Sequence, residues 1–198
     1  MFKISIRLIH IMIMGSLFFP GKAMADDSVL PSSVFTAIML KALSYDRNVD
    51  RQAKDKLMVG IISASDDDTA QVFSTQVKEE IAKVQSSFLL KGKPVDSEIL
   101  VLDKTFNRAK FEEQLKKENI SVLVVALNDA ASINKIIDVS RPLQVNSVCE
   151  IPDCAKNGIG LEIIQSDGKP KMISNLDALK QEGSDYNSKF LAMCQDVK

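Results

Sequence analysis

Residues 120–127 read "ISVLVVAL". The run is apolar at nearly every position and rich in β-branched side chains, with no polar alternation. A strand of that kind is buried on both faces, as happens in a parallel sheet covered by helices on each side. Two more runs share the character: residues 57–63, "LMVGIIS", and residues 98–102, "EILVL".

The segments between these runs carry a helical period. In 69–86, opened by Asp68-Thr69, the apolar residues Val72, Phe73, Val77, Ile81 and Val84 recur every three or four positions. Asn107 opens 107–118, with Phe111 and Leu115 on one face; Asp129 opens 129–139, with Ile133, Ile136 and Ile137 facing in. An amphipathic helix over 32–44 precedes the first strand.

Further on, Pro142 starts a strand that runs to about Val148. Residues 159–164 and 171–174 form a β-hairpin turned by Asp167-Gly168. Asn175 caps a short helix that Gly183 ends, and 185–195 forms a last helix with Tyr186, Phe190, Leu191 and Cys194 on one face. The charged segment 45–56, "YDRNVDRQAKDK", reads as a solvated linker. The order predicts an α/β fold: a three-layer sandwich with a mostly parallel sheet, a C-terminal hairpin and terminal helices.

The N-terminus sets the compartment. Lys3 and Arg7 precede an almost unbroken apolar stretch from Leu8 to Phe19, and Ala23-Met24-Ala25 supplies small residues at −3 and −1. This is the pattern of a cleavable signal peptide over residues 1–25, followed by a flexible tail over 26–31 and one domain over 32–198. Cleavage removes Lys3, Arg7 and Lys22, which shifts the formal charge from −1 to −4. A mildly acidic chain without a basic cluster is a poor partner for nucleic acid. Cleavage also removes His10, the only histidine. Histidine-dependent nucleophilic triads and His-ligated zinc are thereby excluded. No phosphate-binding glycine loop or nucleophile elbow is present either, so an enzyme is not expected and no cofactor is implied.

Two sites remain. In open α/β sheets ligands bind past the carboxyl ends of the strands. Asp66, Asp67 and Asp103 fall there, as a candidate cation pocket. The competing reading is that the acids at 66–68 cap the helix that follows. The second site is Cys149-Glu150-Ile151-Pro152-Asp153-Cys154. In an oxidising compartment a Cys149–Cys154 disulfide is expected, though pairing of either cysteine with Cys194 stays formally open. A metal site is disfavoured for lack of further soft ligands.

From about Leu143 onward the chain resembles the YfiR-like family of bacterial periplasmic proteins. The residues that carry the likeness are Gly158-Ile159-Gly160-Leu161, then Gly168 to Leu176, then Gly183 to Leu191. The front departs from the family, with "FTAIMLKALSYDRNV" (35–49) where members carry a Trp-Pro-like stretch. The resemblance implies a periplasmic regulator that contacts the periplasmic region of a membrane-anchored sensor such as a diguanylate cyclase. It also implies a redox-responsive role for the disulfide. A partner surface would then fall on the first helix, at Phe35, Met39, Lys41 and Leu43. The alternative is a soluble ligand-binding component of a periplasmic uptake or sensing system. That reading supplies one α/β lobe, so a second wall would come from a homodimer.

Overall fold

Leu57–Ala64 (β1) and Ile120–Val125 (β4) lie side by side and parallel, and they form the centre of an eight-stranded sheet. The computed structural model describes residues 30–102 and 105–197. The expected signal peptide, residues 26–29 of the expected tail, and Asp103 lie outside the described residues. The strand order is β2-β3-β1-β4-β5-β6-β7-β8. Lys93–Leu102 (β3), β1, β4, Asn146–Cys149 (β5) and Leu161–Ser166 (β6) run parallel. Leu89–Leu90 (β2) and Lys169–Ser174 (β7) add antiparallel strands on either side, and Gln195–Asp196 (β8) joins β7 in parallel.

Burial on both faces follows from the sequence of the central strands. Val122 and Val124 enter one core, and Leu123 and Val125 enter the other. The first core lies beneath helices Ser32–Leu43 (α1) and Asp68–Val84 (α2); the second lies beneath Arg108–Lys117 (α3) and Ala130–Ser140 (α4). This is the three-layer arrangement expected from the pattern. Gly60 sits at the tightest point of β1. A Cβ there would meet Leu100 Cδ1 and Leu123 Cδ2 at 2.9 Å each, so the absent side chain makes room for the leucines of both neighbouring strands.

Several expectations are corrected. The stretch 45–56 is no solvated linker. Asp46 is fully buried and pairs as an isolated bridge with Tyr186, and Val49 enters the first core. The expected strand from Pro142 is confined to Asn146–Cys149, because the chain first turns through Gln144 at φ 55°. The last helix covers only Ser188–Leu191 (α6), capped by Asn187; beyond it the chain is captured as β8 through Ser174 and Asp196. Val72, placed on the inner face of α2 by its spacing, is 57% exposed. Leu30, assigned to the flexible tail, is packed in the first core. The hairpin is as expected, with Asp167 (φ 51°) and Gly168 (φ 72°) making a two-residue turn.

The candidate partner surface on α1 is also corrected. Phe35, Met39 and Leu43 are four residues apart, so they share one face, and all three are fully buried. Phe35 meets Phe73 of α2 edge-on at 5.3 Å between ring centroids. Lys41 alone of the four stays outside, its Nζ 5.1 Å from the ring centroid of Tyr45.

The C-terminal third is held by buried carboxyl groups. Strands β5 and β6 share only two paired positions, Val148↔Leu161 and Cys149↔Glu162. Glu182, fully buried just after helix Leu176–Gln181 (α5), reinforces that short seam. It accepts from Ser147 N at 3.0 Å and from the Ser147 hydroxyl, whose oxygen in turn accepts from Gly160 N at 2.8 Å. A Cβ on Gly160 would lie 2.5 Å from Glu182 Oε2, so only glycine admits the carboxyl here. Asp46 does the same work elsewhere, accepting from Asn48 N, Asp185 N and Asn146 Nδ2 at 2.7–2.9 Å.

Burial pushes the Glu182 carboxyl up to about 8, against the hydrogen bonds from Ser147. A carboxyl raised in the folded state binds more protons folded than unfolded between its two pKa values. Its contribution to stability is therefore present below about 4.5 and is lost as pH rises towards about 8. Glu182→Gln keeps the size and hydrogen-bonding capacity but cannot ionise. The unfolding free energy of the variant relative to wild type, from urea titrations at pH 5 and pH 8.5, should shift in the variant's favour at the higher pH. A difference that does not vary with pH would mean the carboxyl stays ionised in the fold.

Candidate functional site

The strand order creates a crevice. From β1 the chain crosses by α2 to β3 on one side; from β4 it crosses by α4 to β5 on the other. The loops after β1 and β4 therefore diverge, which is where ligands bind in open α/β sheets. Two cavities open there, one towards each helical layer.

The larger has a volume of about 420 Å³, within the range of small-molecule sites. The first turn of α2 contributes Thr69 and Ala70 to its wall, with Asp67 at the cap position. Ala126 and Asn128 follow β4. The opposite wall is the disulfide loop, through Glu150, Ile151 and Pro152. Ile164, Gln165 and Ser166 from the end of β6 and Leu30 from the lead into α1 complete it.

Cys149 and Cys154 are joined by a disulfide with Cα atoms 6.7 Å apart, as the spacing and compartment suggest; Cys194 is free. Burial pushes the Cys194 thiol up to about 11, so it is not a reactive thiolate. Beneath the bridge, Glu162 is buried and accepts from Ala155 N at 3.0 Å, with Cys154 Sγ 3.7 Å from the same oxygen. Asn175 Nδ2 donates to Ala155 O at 2.8 Å, tying the loop to the hairpin. The ring between the cysteines is thus fixed at its C-terminal end and presents its middle residues to the cavity.

Glu150 is the residue that sequence reading passed over. Its Oε2 is closed off from solvent and has no hydrogen-bond partner among the described residues. Desolvation pushes the carboxyl up to about 8. A signal was available: an acid follows directly on a buried strand and is held inside a six-residue ring with a proline.

The smaller cavity, about 290 Å³, lies towards α3 and α4 and includes Asp66, Asp129, Ser132 and Lys135. Asp129 Oδ1 caps α4 by accepting from Ser132 N at 2.8 Å, and those hydrogen bonds hold its carboxyl below the ordinary range. Asp67 Oδ1 caps α2 through Ala70 N at 2.9 Å. The candidate cation pocket is therefore divided. Asp66 lines one cavity and Asp67 the other, and Asp103 falls outside the described residues. Within the acid run, Asp67 is the helix cap and Asp68 stands in the first turn of α2.

No family model matches the chain, and no curated protein is similar to it. The fold is nevertheless shared. Solved structures that match include an ABC domain from Streptococcus pneumonia in complex with L-Trp. It is 10% identical over 84% of this chain and 60% of that one, with a TM-score of 0.58. A conserved domain protein from Vibrio cholerae O1 biovar El Tor matches at 14% identity over 85% and 60%, with a TM-score of 0.56. The ligand-free, open form of a substrate-binding protein with adhesive properties from Clostridium difficile matches at 14% identity over 76% and 57%, with a TM-score of 0.52. At these identities the likeness is one of fold. The chain spans 57% to 60% of the length of these three structures.

The disulfide closes a six-residue ring, worth about 2 kcal/mol in loop entropy. Replacing Cys149 and Cys154 by serine should lower stability by that order, read as a lower melting temperature. Because Glu150 to Pro152 form a cavity wall, the same variant should bind any cavity ligand more weakly. Unchanged affinity would show that the wall holds its shape without the bridge.

Proposed function

We propose that this protein is an exported small-molecule-binding component of a periplasmic uptake or sensing system. The observation that carries the reading is the cavity of about 420 Å³ at the divergence of β1 and β4, walled by apolar side chains and a few polar groups. Support comes from the shared fold with a substrate-binding protein and with a domain solved around L-Trp. The Cys149–Cys154 bridge agrees with an oxidising compartment, and no described helix is long and apolar enough to cross a membrane.

The regulatory reading, contact with a membrane-bound sensor such as a diguanylate cyclase, rests on the C-terminal resemblance alone. The α1 surface considered for it is largely core. The two readings separate in a pull-down from envelope fractions. Transporter subunits favour the ligand-binding role, and a membrane cyclase favours the regulatory one.

The direct test is thermal denaturation of the disulfide-bonded protein against a panel of amino acids, amines, sugars and organic acids. A compound present at a hundredfold excess over its dissociation constant should raise the melting temperature by about 5–10 °C. A panel that leaves the transition where it stands would count against ligand binding.

A further inference from the structure

We propose that the larger cavity takes a small cationic molecule, an amine with an apolar body, and that Glu150 is its counter-group. The inference rests on the ligand-binding reading and adds the chemical class. Three observations converge on it. The charged residues that line the cavity, among those described, are Asp67 and Glu150; both are acidic, and no lysine or arginine joins them. Of the two, Asp67 already caps α2 through Ala70 N, whereas Glu150 Oε2 is buried with no partner. A buried polar atom left unpaired is costly, and such an atom in a cavity wall is what a ligand group satisfies. Ala126, Ile151, Pro152 and Ile164 suit an apolar body, and Thr69, Asn128, Gln165 and Ser166 add uncharged polar groups.

The positive end of α2 also faces the crevice, and by itself it would favour an anion. Here it is answered from within the chain. Asp67 accepts the cap hydrogen bond, and Asp68 places a second carboxylate in the first turn. A carboxylate ligand would meet no basic side chain among the described lining residues and would face Glu150. A cation would meet a carboxyl group that lacks a partner, and rotation about its last torsion presents either oxygen. On binding, the Glu150 carboxyl gives its proton to solvent and becomes the carboxylate of an ion pair with the ligand ammonium. Burial holds that carboxyl protonated in the empty cavity, so uptake of an amine at neutral pH releases a proton.

The test is calorimetry on the disulfide-bonded protein with three matched probes: 2-phenylethylamine, 2-phenylethanol and 3-phenylpropionate. The amine should bind roughly tenfold or more tightly than the alcohol, as expected for a charge-assisted hydrogen bond in a desolvated site. Its apparent enthalpy should differ between phosphate and Tris buffers by the signature of a released proton. Glu150→Gln should abolish both the amine preference and the buffer dependence while leaving the melting temperature of the empty protein the same or higher. The proposal is overturned if the alcohol or the acid binds as well as the amine, if none of the three binds, or if the Gln variant keeps the preference. The ligand-binding reading fails separately. A panel hit that carries no cation, and whose affinity does not change in Glu150→Gln, would remove the amine class and leave that reading in place.

Discussion

Everything in this molecule follows from two strands that have no polar face. β1 and β4 bury every residue from Leu57 to Ser63 and from Ile120 to Val125. Such strands are stable only if helices cover both sides of the sheet, which requires crossovers to pass over one face and then the other. The fold meets that requirement with α1 and α2 on one side and α3 and α4 on the other. Once the crossovers from β1 and β4 leave in opposite directions, their loops part, and a crevice opens at the carboxyl ends. The cavity is a consequence of the sheet's hydrophobicity before it is a feature of any side chain.

The C-terminal half is held differently. The hydrogen-bonded ladder thins at the β5–β6 seam, and buried polar groups take over. Glu182 binds both the backbone and the hydroxyl of Ser147, Glu162 anchors the disulfide loop through Ala155, and Asp46 gathers one local donor, Asn48 N, and two from distant segments, Asn146 and Asp185. Buried carboxyl groups of this kind are tolerated only with their hydrogen bonds made, and removing one partner strands the rest. Aromatic stacking adds to the closure: Phe190 lies 4.7 Å from Tyr186 and 5.6 Å from Tyr45, ring centroid to ring centroid. The chain after the first helix and the chain before the last strand are joined in this way into one layer.

This division explains what the sequence disclosed. Strands β1 and β4 and helices α2 to α4 announce themselves, because hydrophobic runs and helical periods are local signals. So does the Asp167-Gly168 turn, and so do the capping residues Asp67, Asn107 and Asn175. The burial of 45–56 is not legible in its sequence, because it is carried by Asp46, whose partners Asn146 and Asp185 are 100 and 139 positions away. Strand β2 and the first half of β3 escaped because a two-residue strand followed by Lys91-Gly92 and Pro94 has no period to detect. The site was legible in its parts and not in its grouping. The cysteine pair and the acid run were both visible, but only the fold sets the cysteine ring against the cap of α2 and sends Asp66 and Asp67 to different cavities.

The buried acids supply a distinction that composition alone could not. Asp46, Glu162 and Glu182 each accept at least one backbone N–H, and each sits where strands, loops and helices must be joined. Glu150 is shielded by the same chain and joins nothing. If its burial served the fold, a donor would be expected within reach, as for the other three. A carboxyl oxygen that is desolvated and unpaired costs free energy, and none of the described residues supplies the donor that would recover it. The ring closed by Cys149 and Cys154 holds Glu150 in that position, so on the proposed reading the disulfide serves recognition as well as stability.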